Sequence, residues 1–214
     1  MFNILTEDFL SSISFKSSLD VNLANFSMSK FTKDDFIKVI CDLKYMQRNF
    51  ECLLLSNLKK NGIAYRFKSV DSVELKVHKY IENTRKAILC FNDLIGIRVI
   101  CNNYPDLKSI PNYFQVVDLS NGKKCDDGYR AVHLYYKLSN RHYPIEVQIW
   151  KASDEKFINW SHKYCYKVSD SCIIKKMRKL YDDGIIVNED DFKRELEILI
   201  ACKWFRNKIG DGFK

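Results

Sequence analysis

Two runs of apolar and aromatic residues in the middle of the chain are separated by a short polar stretch. The runs extend from Tyr129 to Leu138 and from Tyr143 to Trp150, with Ser139 to His142 between them. This pattern predicts an antiparallel hairpin. The second run alternates between apolar and polar residues, which places Glu146 and Gln148 on the same face of the strand. If both faces are covered, the carboxylate of Glu146 requires a cation or a hydrogen-bond donor.

Helical periodicity occurs near both ends of the chain. Thr32, followed three residues later by Asp35, predicts a capping box at the start of a long helix that ends near Lys60, before Asn61 and Gly62. A second helix is predicted from about residue 189 to residue 208. Residues 1–30 are polar and serine-rich, so the sequence predicts a loosely ordered arm or short helices there.

Three further stretches have the composition of strands. They are Ile63 to Val70, with Arg66 and Lys68 on one face, Phe91 to Cys101, and Tyr113 to Leu119. Together with the hairpin they predict about five strands. A helix capped by Asp71 or Ser72 follows the first of them.

Basic residues cluster around that first strand and its helix. This helix is predicted to carry Lys76 and Lys79 and, further along, Arg85 and Lys86. Several cations that approach from different directions could hold a polyphosphate, although a solvated basic face explains this pattern more often. No Gly-x-x-x-x-Gly-Lys sequence occurs, so a nucleotide would be held by side chains.

A second carboxylate stands at the start of a predicted strand. Asp93 is one of the few polar residues between Phe91 and Cys101. It is either a cap of the helix or turn or a metal ligand. Asp93 and Glu146 together would supply the oxygen ligands that magnesium prefers. The spacing leaves open whether the two side chains meet.

Composition narrows the class of protein. The chain has 214 residues, 46% of them hydrophobic, a net charge of +8 and a pI near 9.0. The length suits one domain with a helical appendage, and the charge suits a polyanionic partner or a basic solvated surface. Eight cysteines are scattered without a Cys-x-x-Cys pair, and the N-terminus is acidic with no apolar run of membrane length. We therefore expect a cytoplasmic protein with no membrane association.

The chain resembles a known family through five motifs that occur in order. The resemblance covers about residues 60–167. The motifs are Arg66-x-Lys68-x-x-x-Ser72-x-x-x-Lys76, Asp93-Leu-Ile-Gly-Ile-Arg98, Gly128-Tyr-Arg-Ala-Val-His133, Glu146-Val-Gln148, and Trp160-x-His162 with Tyr166-Lys167. They resemble the RelA/SpoT synthetase domain. The resemblance implies an α+β fold with a mixed sheet of about five strands flanked by helices, like a nucleotidyltransferase, with N- and C-terminal helices.

The resemblance also implies an activity and a set of site residues. The implied reaction transfers pyrophosphate from ATP to a ribose 3′-hydroxyl. Asp93 and Glu146 would be the catalytic carboxylates and the ligands of Mg²⁺, with Glu146 as the alternative base. The implied ATP-binding residues are Arg66, Lys68, Ser72, Lys76 and Arg98. The implied acceptor-binding residues are Tyr129, which would stack on the base, Arg130, His133, Lys123 and Lys124.

Differences from the family pattern point to a subgroup. No histidine is followed by Asp, so we expect no His-Asp hydrolase domain, and Trp150-Lys151 replaces the usual Arg-Thr pair. Segments around Tyr129, Glu146 and Trp160 resemble toxic small alarmone synthetases (toxSAS), which pyrophosphorylate the 3′ end of tRNA and are silenced by an antitoxin. The resemblance therefore implies a toxin of a toxin–antitoxin pair that inhibits translation. Alternatives are a synthetase of (p)ppGpp or an adenosine analogue, and an inactive RNA-binding module.

A second basic cluster lies beyond the resemblance. Its members are Lys175, Lys176, Arg178 and Lys179. They form either a surface for the tRNA acceptor stem or a solvated helix face. We expect an N-terminal arm at 1–30, a synthetase domain at 31–170 and a helical extension at 171–214. The expected partners are the tRNA acceptor end and a protein antitoxin, and the sequence leaves open whether the chain forms a homo-oligomer.

Overall fold

The computed structural model describes residues 1–123, 126–165 and 170–210, the last six of these by their backbone alone. The chain divides into two compact units. The first unit comprises Met1–Val117 and Val132–Ile149, and the second comprises Asp118–Ala131 and Trp150–Lys214. This division differs from the expected boundaries at residues 30 and 170, because the stretch before the hairpin and the residues after it form one compact unit. The predicted Lys124, and Tyr166-Lys167 of the family motifs, lie outside the described residues.

A five-stranded mixed sheet forms the centre of the fold. Its strand order is β1-β2-β5-β4-β3, in which β1 pairs antiparallel with β2 and β4 pairs antiparallel with β5. The pair β4 and β5 is the hairpin that the sequence predicts. The strands are β1 Ala64–Phe67, β2 Ile95–Cys101, β3 Phe114–Asp118, β4 Val132–Tyr136 and β5 Ile145–Lys151.

Helices account for most of the remaining described residues. They are α1 Glu7–Ser12, α2 Lys33–Asn57, α3 Val70–Glu82, α4 Ala87–Cys90, α5 Ala152–Trp160, α6 Ser171–Asp182 and α7 Glu189–Gly210. Short 3-10 turns and one π-helical turn, Ser161–Cys165, connect some of them. In that described part of the chain, no helix is long and apolar enough to cross a membrane.

The predicted capping box is confirmed at the start of α2. The hydroxyl of Thr32 accepts a hydrogen bond from the amide of Asp35, whose carboxylate in turn accepts from the amide of Thr32. The helix is followed by a 3-10 turn and by Gly62, which has a left-handed φ of 70°. A left-handed residue after a helix reverses the chain at low cost only when it lacks a Cβ. Gly62 therefore starts the return of the chain into β1.

Two expected element boundaries are wrong. α3 ends at Glu82, before Arg85 and Lys86, and Thr84 has a left-handed φ of 52° that the helix cannot continue through. β2 begins at Ile95, four residues later than the predicted Phe91, because Ala87–Cys90 forms a helical turn that Phe91 terminates. Both differences shorten an element and lengthen the connection that carries Asp93.

Residues 1–30 pack into the core of the first unit as short helices, which is one of the two predicted alternatives. Leu5, Leu10, Ile13, Leu23 and Met28 are fully buried. They belong to the same apolar cluster as the inner residues of α2 and of the central strands. The serine-rich composition of this stretch reflects helix caps and turns, where serine hydroxyls bond to the nearby backbone.

The sheet has one apolar face and one polar face. Ile145, Val147 and Ile149 of β5 are buried in the core, whereas Glu146 and Gln148 point to the other side because side chains alternate along a strand. Directly paired residues of neighbouring strands share a face. Glu146 pairs with Tyr135 and Gln148 with His133 on β4. The polar face therefore collects the side chains with chemical function.

The second unit has its own apolar core, built from α5, α6 and α7. Its fully buried members include Phe157, Met177 and Phe192, and Trp160 packs against them. The predicted C-terminal helix is confirmed as α7. A smaller cluster in the same unit joins Trp150 to Ala131 and Ile158, with Tyr129 at its edge. This unit supports the loop that precedes β4.

Candidate active site

Two lysines converge on one carboxylate at the start of β2. Lys76 Nζ donates a hydrogen bond to Asp93 Oδ1 at 2.9 Å, and Lys68 Nζ donates to Asp93 Oδ2. Lys68 directly follows β1 and Lys76 lies on the second turn of α3, so the strand-to-helix connection brings both to the same point. Asn92 Oδ1 also accepts from Lys76 at 2.7 Å. The cluster carries one more positive than negative charge.

The electrostatics of this cluster keep Asp93 ionised. Burial alone would raise the pKa of Asp93, but the charges of Lys76 and Lys68 and their hydrogen bonds outweigh it and lower the pKa below its usual value. The neighbouring thiol responds in the opposite direction. Burial raises the pKa of Cys90 to about 12. Cys90 is therefore a neutral core residue and Asp93 is an anion at neutral pH.

Two arginines lie on the polar face of β1 and β2. Arg66 pairs with Gly96 and Ala64 pairs with Arg98, so Arg66 and Arg98 project from the same side. The Arg66 side chain packs across Gly96, where an added Cβ would lie at an ordinary van der Waals separation of 3.4 Å from its Cγ and Nε. Arg66 therefore lies over the sheet at the position of Gly96. Arg66, Arg98 and Gln148 line one shallow pocket of about 90 Å³.

The second predicted carboxylate, Glu146, is held by three side chains of the hairpin. Its Oε1 accepts from Tyr135 Oη at 3.0 Å and lies 2.9 Å from His133 Nδ1. Its Oε2 accepts from Gln148 Nε2 at 2.8 Å. Because a carboxylate only accepts hydrogen bonds, the contact with His133 requires the proton on Nδ1. Glu146 is 5% exposed, and the hydrogen bonds from these donors offset the cost of burying its carboxylate.

The structure does not join Asp93 to Glu146 by a direct contact. They belong to adjacent strands in the sheet order, since Asp93 precedes β2 and Glu146 is on β5. Among the described residues, no cluster of three His, Cys, Asp or Glu side chains is positioned to hold a metal. Magnesium commonly uses one or two carboxylates and completes its shell with phosphate oxygens and water. Asp93 lies next to Lys68 and Lys76, which are candidates for binding phosphate. It therefore fits a carboxylate ligand of a magnesium ion that phosphate oxygens and water also coordinate.

A cavity of about 590 Å³ adjoins both carboxylate clusters. Asn92, which bonds to Lys76, and Tyr135, which bonds to Glu146, both line it. Its volume is in the range of small-molecule sites, and its walls combine apolar side chains with a few amides. The other lining residues are Lys86, Ile88, Leu89, Asn112, Tyr113, Phe114, Gln115, Val117, Lys137 and Pro144.

The sequence analysis missed Asn92 and Tyr135 as members of the site. Each stands next to a predicted residue: Asn92 precedes Asp93, and Tyr135 is two residues after His133 and therefore on the same strand face. Applying the alternation rule to β4 as well as to β5 would have found Tyr135. No pattern in the sequence indicates that the side-chain amide of Asn92 belongs to the site, because its hydrogen bond with Lys76 depends on where α3 packs.

In the second unit, Tyr129 is fixed by neighbours on two sides. Trp150 Nε1 donates a hydrogen bond to Tyr129 Oη at 3.2 Å, and the two rings pack edge to face with centroids 6.4 Å apart. Lys123 Nζ lies 5.2 Å from the centre of the Tyr129 ring and also pairs with Asp127. A base that stacks on this face of Tyr129 would displace the ammonium group of Lys123.

Arg130 makes a two-point ion pair within the same loop. Its two terminal nitrogens lie 2.7 and 3.0 Å from the carboxylate oxygens of Asp126. The hydrogen bond from Arg130 lowers the pKa of Asp126 and raises that of Arg130 itself. The guanidinium also packs on Gly122, where an added Cβ would lie 2.5 Å from Arg130 Nη1. The structure therefore gives Arg130 a role in shaping the loop, while its predicted contact with the acceptor stays a prediction.

The prediction that Arg178 belongs to a tRNA-binding surface is wrong. Arg178 is 9% exposed, and its guanidinium pairs with the buried Asp154 and with Asp182, whose side chain is half-exposed. The period of α6 turns it inward beside Met177, whereas Lys175, Lys176 and Lys179 are exposed. The basic surface of α6 is therefore made by lysines.

The predicted helix cap before Lys76 is also wrong. Ser69 caps α3, and its hydroxyl accepts from the amide of Ser72 and donates to the Ser72 hydroxyl at 2.8 Å. Ser72 therefore lies in the first turn of the helix. The amides of a first turn carry a partial positive charge, so Ser72 stays a candidate ligand for phosphate together with Lys68.

One family model matches the chain. The model, described as a region found in RelA/SpoT proteins, matches residues 65–171, which is half of the chain. The matched range contains both predicted carboxylates and all five predicted ATP-binding residues. A comparison with curated proteins finds no significant match.

Solved structures of small alarmone synthetases resemble the chain at low sequence identity. Small alarmone synthetase 1 from Bacillus subtilis has a TM-score of 0.45 and 17% identity, and the match covers 84% of this chain and all of that one. Small alarmone synthetase 2 from the same organism has a TM-score of 0.34 and 20% identity over 84% and 98% of the two chains. A GTP pyrophosphokinase family protein from Streptococcus pneumoniae has values of 0.36 and 17% over 83% and 93%.

Proposed function

Because the chain belongs to the RelA/SpoT family and is a pyrophosphotransferase, we propose that it transfers the β,γ-pyrophosphate of ATP to a ribose 3′-hydroxyl. The cluster of Lys68, Lys76 and Asp93 carries this proposal. It has one cation more than the carboxylate can neutralise, and its lysines are part-buried. An excess of positive charge in a partly desolvated place favours a polyphosphate over a neutral ligand.

ATP is the proposed donor. Arg66 and Arg98 line the pocket on the polar face and offer planar guanidinium groups on which an adenine can stack. Lys68, Lys76 and the first turn of α3 with Ser72 would face the phosphates. This arrangement needs no glycine-rich phosphate loop, because side chains from a strand and the following helix supply the cations.

Glu146 is the proposed base. It accepts the proton of the 3′-hydroxyl as the hydroxyl oxygen attacks the β-phosphorus, and the bond from that phosphorus to the α,β-bridging oxygen breaks so that AMP leaves. Tyr135, His133 and Gln148 hold the Glu146 carboxylate in one orientation. Proton transfer to a positioned carboxylate, together with in-line positioning of the reactants, is the main contribution that side chains make to this kind of reaction.

Asp93 is the proposed protein ligand for magnesium. The metal would supply neutralisation of the charge that develops on the phosphate oxygens. When the phosphates engage Lys68 and Lys76, the carboxylate of Asp93 loses hydrogen-bond donors and becomes available to a cation. Glu146 keeps its three donors in this proposal, so its role is that of the base.

The 3′-terminal adenosine of tRNA is the proposed acceptor. Tyr129 would stack on the terminal base, and stacking on an aromatic ring does not depend on the identity of the base. Trp150, where the family pattern has a cation, hydrogen-bonds to Tyr129 and is buried among apolar side chains. A tryptophan at this position offers no charge to the 5′-di- or triphosphate of a mononucleotide, whereas the terminal adenosine of a tRNA carries a single 5′-phosphodiester.

The exposed lysines of α6 support the same acceptor. Lys175, Lys176 and Lys179 are exposed, and a distributed basic surface suits the phosphate backbone of the acceptor stem. The proposal includes toxicity through blocked aminoacylation and control by a protein antitoxin. Growth arrest on expression of the chain, relieved by a co-expressed neighbouring gene product, would test that part.

A guanosine nucleotide is the second candidate acceptor, which would make the chain an alarmone synthetase. The observation in its favour is the cavity next to Tyr135, where Lys86 and Lys137 could hold the 5′-phosphates of GDP or GTP. One of the similar structures is bound to its product pppGpp. Replacement of Lys86 and Lys137 by methionine should abolish transfer to a guanosine nucleotide and leave transfer to tRNA largely unchanged.

The deciding experiment uses γ-labelled ATP. The protein is incubated separately with GDP, GTP and deacylated tRNA, and the label is followed because the γ-phosphate travels with the pyrophosphate. Label on the 3′ end of tRNA supports the proposed acceptor. Label on guanosine nucleotides alone supports the alarmone synthetase. Label on no acceptor from folded protein would contradict both and leave an inactive RNA-binding module.

A further inference from the structure

We propose that Arg178 is a positioning residue that holds the loop carrying Tyr129 in place for the acceptor. This inference rests on the proposed function, because it assigns Tyr129 to acceptor binding. The relevant part of the loop is residues 126–131, which we call the acceptor segment. All of the contacts that carry the inference lie within the second unit.

The acceptor segment is packed against helices α5 and α6 at Gly128. An added Cβ at Gly128 would lie 2.8 Å from Phe157 Cε1 and 3.1 Å from Arg178 Cβ. Gly128 also has a left-handed φ of 75°. Both the conformation and the lack of space exclude a side chain. The glycine of the Gly128-Tyr129 motif is therefore explained by the close approach of the loop to this surface.

Arg178 is itself fixed on all sides. Its Nη2 lies 2.6 Å from Asp154 Oδ1, and its Nε donates to both carboxylate oxygens of Asp182 at 2.9 and 3.0 Å. The guanidinium lies over the rings of Phe157 and Tyr181, with its central carbon 5.2 and 5.7 Å from the ring centres. The two carboxylates and the two aromatic rings therefore hold the planar guanidinium in one orientation.

The guanidinium of Arg178 contacts the loop through one long polar contact. Arg178 Nη1 lies 3.5 Å from the carbonyl oxygen of Gly128, at the limit of a hydrogen bond. The tight packing at Gly128 involves the ring of Phe157, over which the guanidinium lies, and the Cβ of Arg178. We infer that the guanidinium of Arg178 holds the Phe157 ring against Gly128, and that its polar contact with the Gly128 carbonyl sets the direction of the loop.

The loop transmits this position to Tyr129 because its own conformation is closed. Asp126 accepts hydrogen bonds from the amide of Gly128 at 2.9 Å and from both terminal nitrogens of Arg130. Asp127 accepts from the amide of Tyr129 at 3.2 Å. A turn closed in this way moves as one piece. Displacement at Gly128 therefore displaces the Tyr129 ring and breaks its contact with Trp150.

The consequence is a separation between donor and acceptor effects. If Arg178 positions Tyr129, its loss raises the acceptor KM and leaves ATP binding unchanged, because the hydrogen bonds and ring contacts that the structure describes for Arg178 all lie within the second unit. A residue that merely stabilised the protein would lower both together. Misplacement of a binding group by about 1 Å can reduce a rate by about 100-fold.

The experiment compares two routes to the same displacement. Gly128→Ala pushes the loop away from the Phe157 ring and from Cβ of Arg178, and it leaves the Arg178 side chain itself unchanged. Arg178→Met removes the guanidinium, and Arg178→Lys keeps the charge but loses the plane and the two-point pairing. Arg194→Met is the matched control, because Arg194 on α7 is exposed and pairs with Asp191 on its own helix.

Two measurements are made on each variant that keeps cooperative thermal unfolding. The first is the acceptor KM together with the affinity for a non-hydrolysable ATP analogue. The second is Trp150 fluorescence in a background with Trp160→Phe and Trp204→Phe, which leaves Trp150 as the single tryptophan. Trp150 is 2% exposed and bonded to Tyr129, so release of the loop should shift its emission to longer wavelength.

We expect Gly128→Ala and Arg178→Met to raise the acceptor KM at least about tenfold, to shift the Trp150 emission and to leave ATP affinity within twofold. Arg178→Lys should fall between these variants and the unchanged control. An unshifted Trp150 emission in folded Gly128→Ala and Arg178→Met would overturn the inference, and so would equal losses of ATP and acceptor binding. The fluorescence result does not require turnover, so it stands apart from any failure of the proposed reaction.

Discussion

The cluster of Lys68, Lys76 and Asp93, which we call the donor cluster, and the second unit both contain part-buried ion pairs, but the pairs are balanced in opposite ways. In the donor cluster, one carboxylate, Asp93, faces two lysines. In the second unit, one arginine, Arg178, faces the two carboxylates Asp154 and Asp182, and Arg130 has Asp126 to itself. The donor cluster keeps an excess of positive charge, whereas the arginines of the second unit are neutralised.

This difference shows which cations are free to serve a ligand. A buried cation whose charge is balanced within the protein pays a desolvation cost that its partners offset, and removing it from them is unfavourable. A cation in an unbalanced cluster gains by meeting an anion from outside. Charge balance therefore separates the residues proposed to bind phosphate from those that support the fold, even though all of them are basic side chains.

The largest expected effect is on turnover, through the base. Glu146→Gln keeps the size of the side chain and removes the charge that would accept the proton. We expect the activation free energy of transfer to rise by roughly 3 kcal/mol or more, so that the rate falls by a factor of more than about 100. ATP affinity should stay unchanged. Single-turnover kinetics with γ-labelled ATP measures it.

Glu74→Gln is the control for this variant, since Glu74 is an exposed carboxylate of α3. Turnover of folded Glu146→Gln at a rate near that of Glu74→Gln would remove Glu146 from the role of base.

The next effect concerns the acceptor alone. Tyr129→Ala removes the proposed stacking surface, and stacking contributes roughly 1–3 kcal/mol per base. We expect the acceptor KM to rise by the corresponding factor while ATP affinity stays the same. Tyr129→Phe keeps the ring and loses only the oxygen that accepts from Trp150, so it should keep most of the affinity. Equal loss of ATP binding in the alanine variant, measured by calorimetry, would move Tyr129 to the donor side.

A smaller effect tests the charge balance of the donor cluster. In the nucleotide-free protein the carboxylate of Asp93 competes with phosphate for Lys68 and Lys76. Asp93→Asn should therefore bind metal-free ATP about tenfold more tightly, since tenfold corresponds to 1.4 kcal/mol, about one hydrogen bond to a charged group. Calorimetry in the presence of a chelator measures the affinity. Glu82→Gln, which neutralises an exposed carboxylate at the C-terminal end of α3, should change little.

Weaker binding of metal-free ATP by Asp93→Asn than by Glu82→Gln would contradict the competition. It would show that the carboxylate orients the lysines for phosphate more than it neutralises them.

The smallest effect is a dependence of stability on pH. The pKa of Asp93 is lowered in the folded protein, so its ion pairs stabilise the fold above the unfolded pKa of about 3.9 and this contribution is lost as the pH falls through the folded pKa. The wild-type protein should lose stability relative to Asp93→Asn only below about pH 4. Thermal unfolding between pH 3 and pH 7 measures this. Parallel curves for the two proteins would show that the lysine pairs contribute no net stability.

Local patterns predicted the elements and many of the site residues. The alternation in β5 placed Glu146 on the polar face, the capping box defined the start of α2, and the hairpin followed from two apolar runs around a polar spacer. These features depend on residues close together in the chain, so their signals survive in the sequence. The family resemblance added the residues around Asp93, because their order along the chain is itself the signal.

The sequence by itself determined which residues carry charge, which strand faces they occupy and in what order the motifs occur, because backbone periodicity is a local property. Only the tertiary structure decided how each charge is used. Arg178 and Lys179 are neighbours in the sequence, yet one is buried against Asp154 and the other is exposed. Asp154 is 24 residues away along the chain. Pairing over such distances depends on how helices pack, and residue spacing does not encode it.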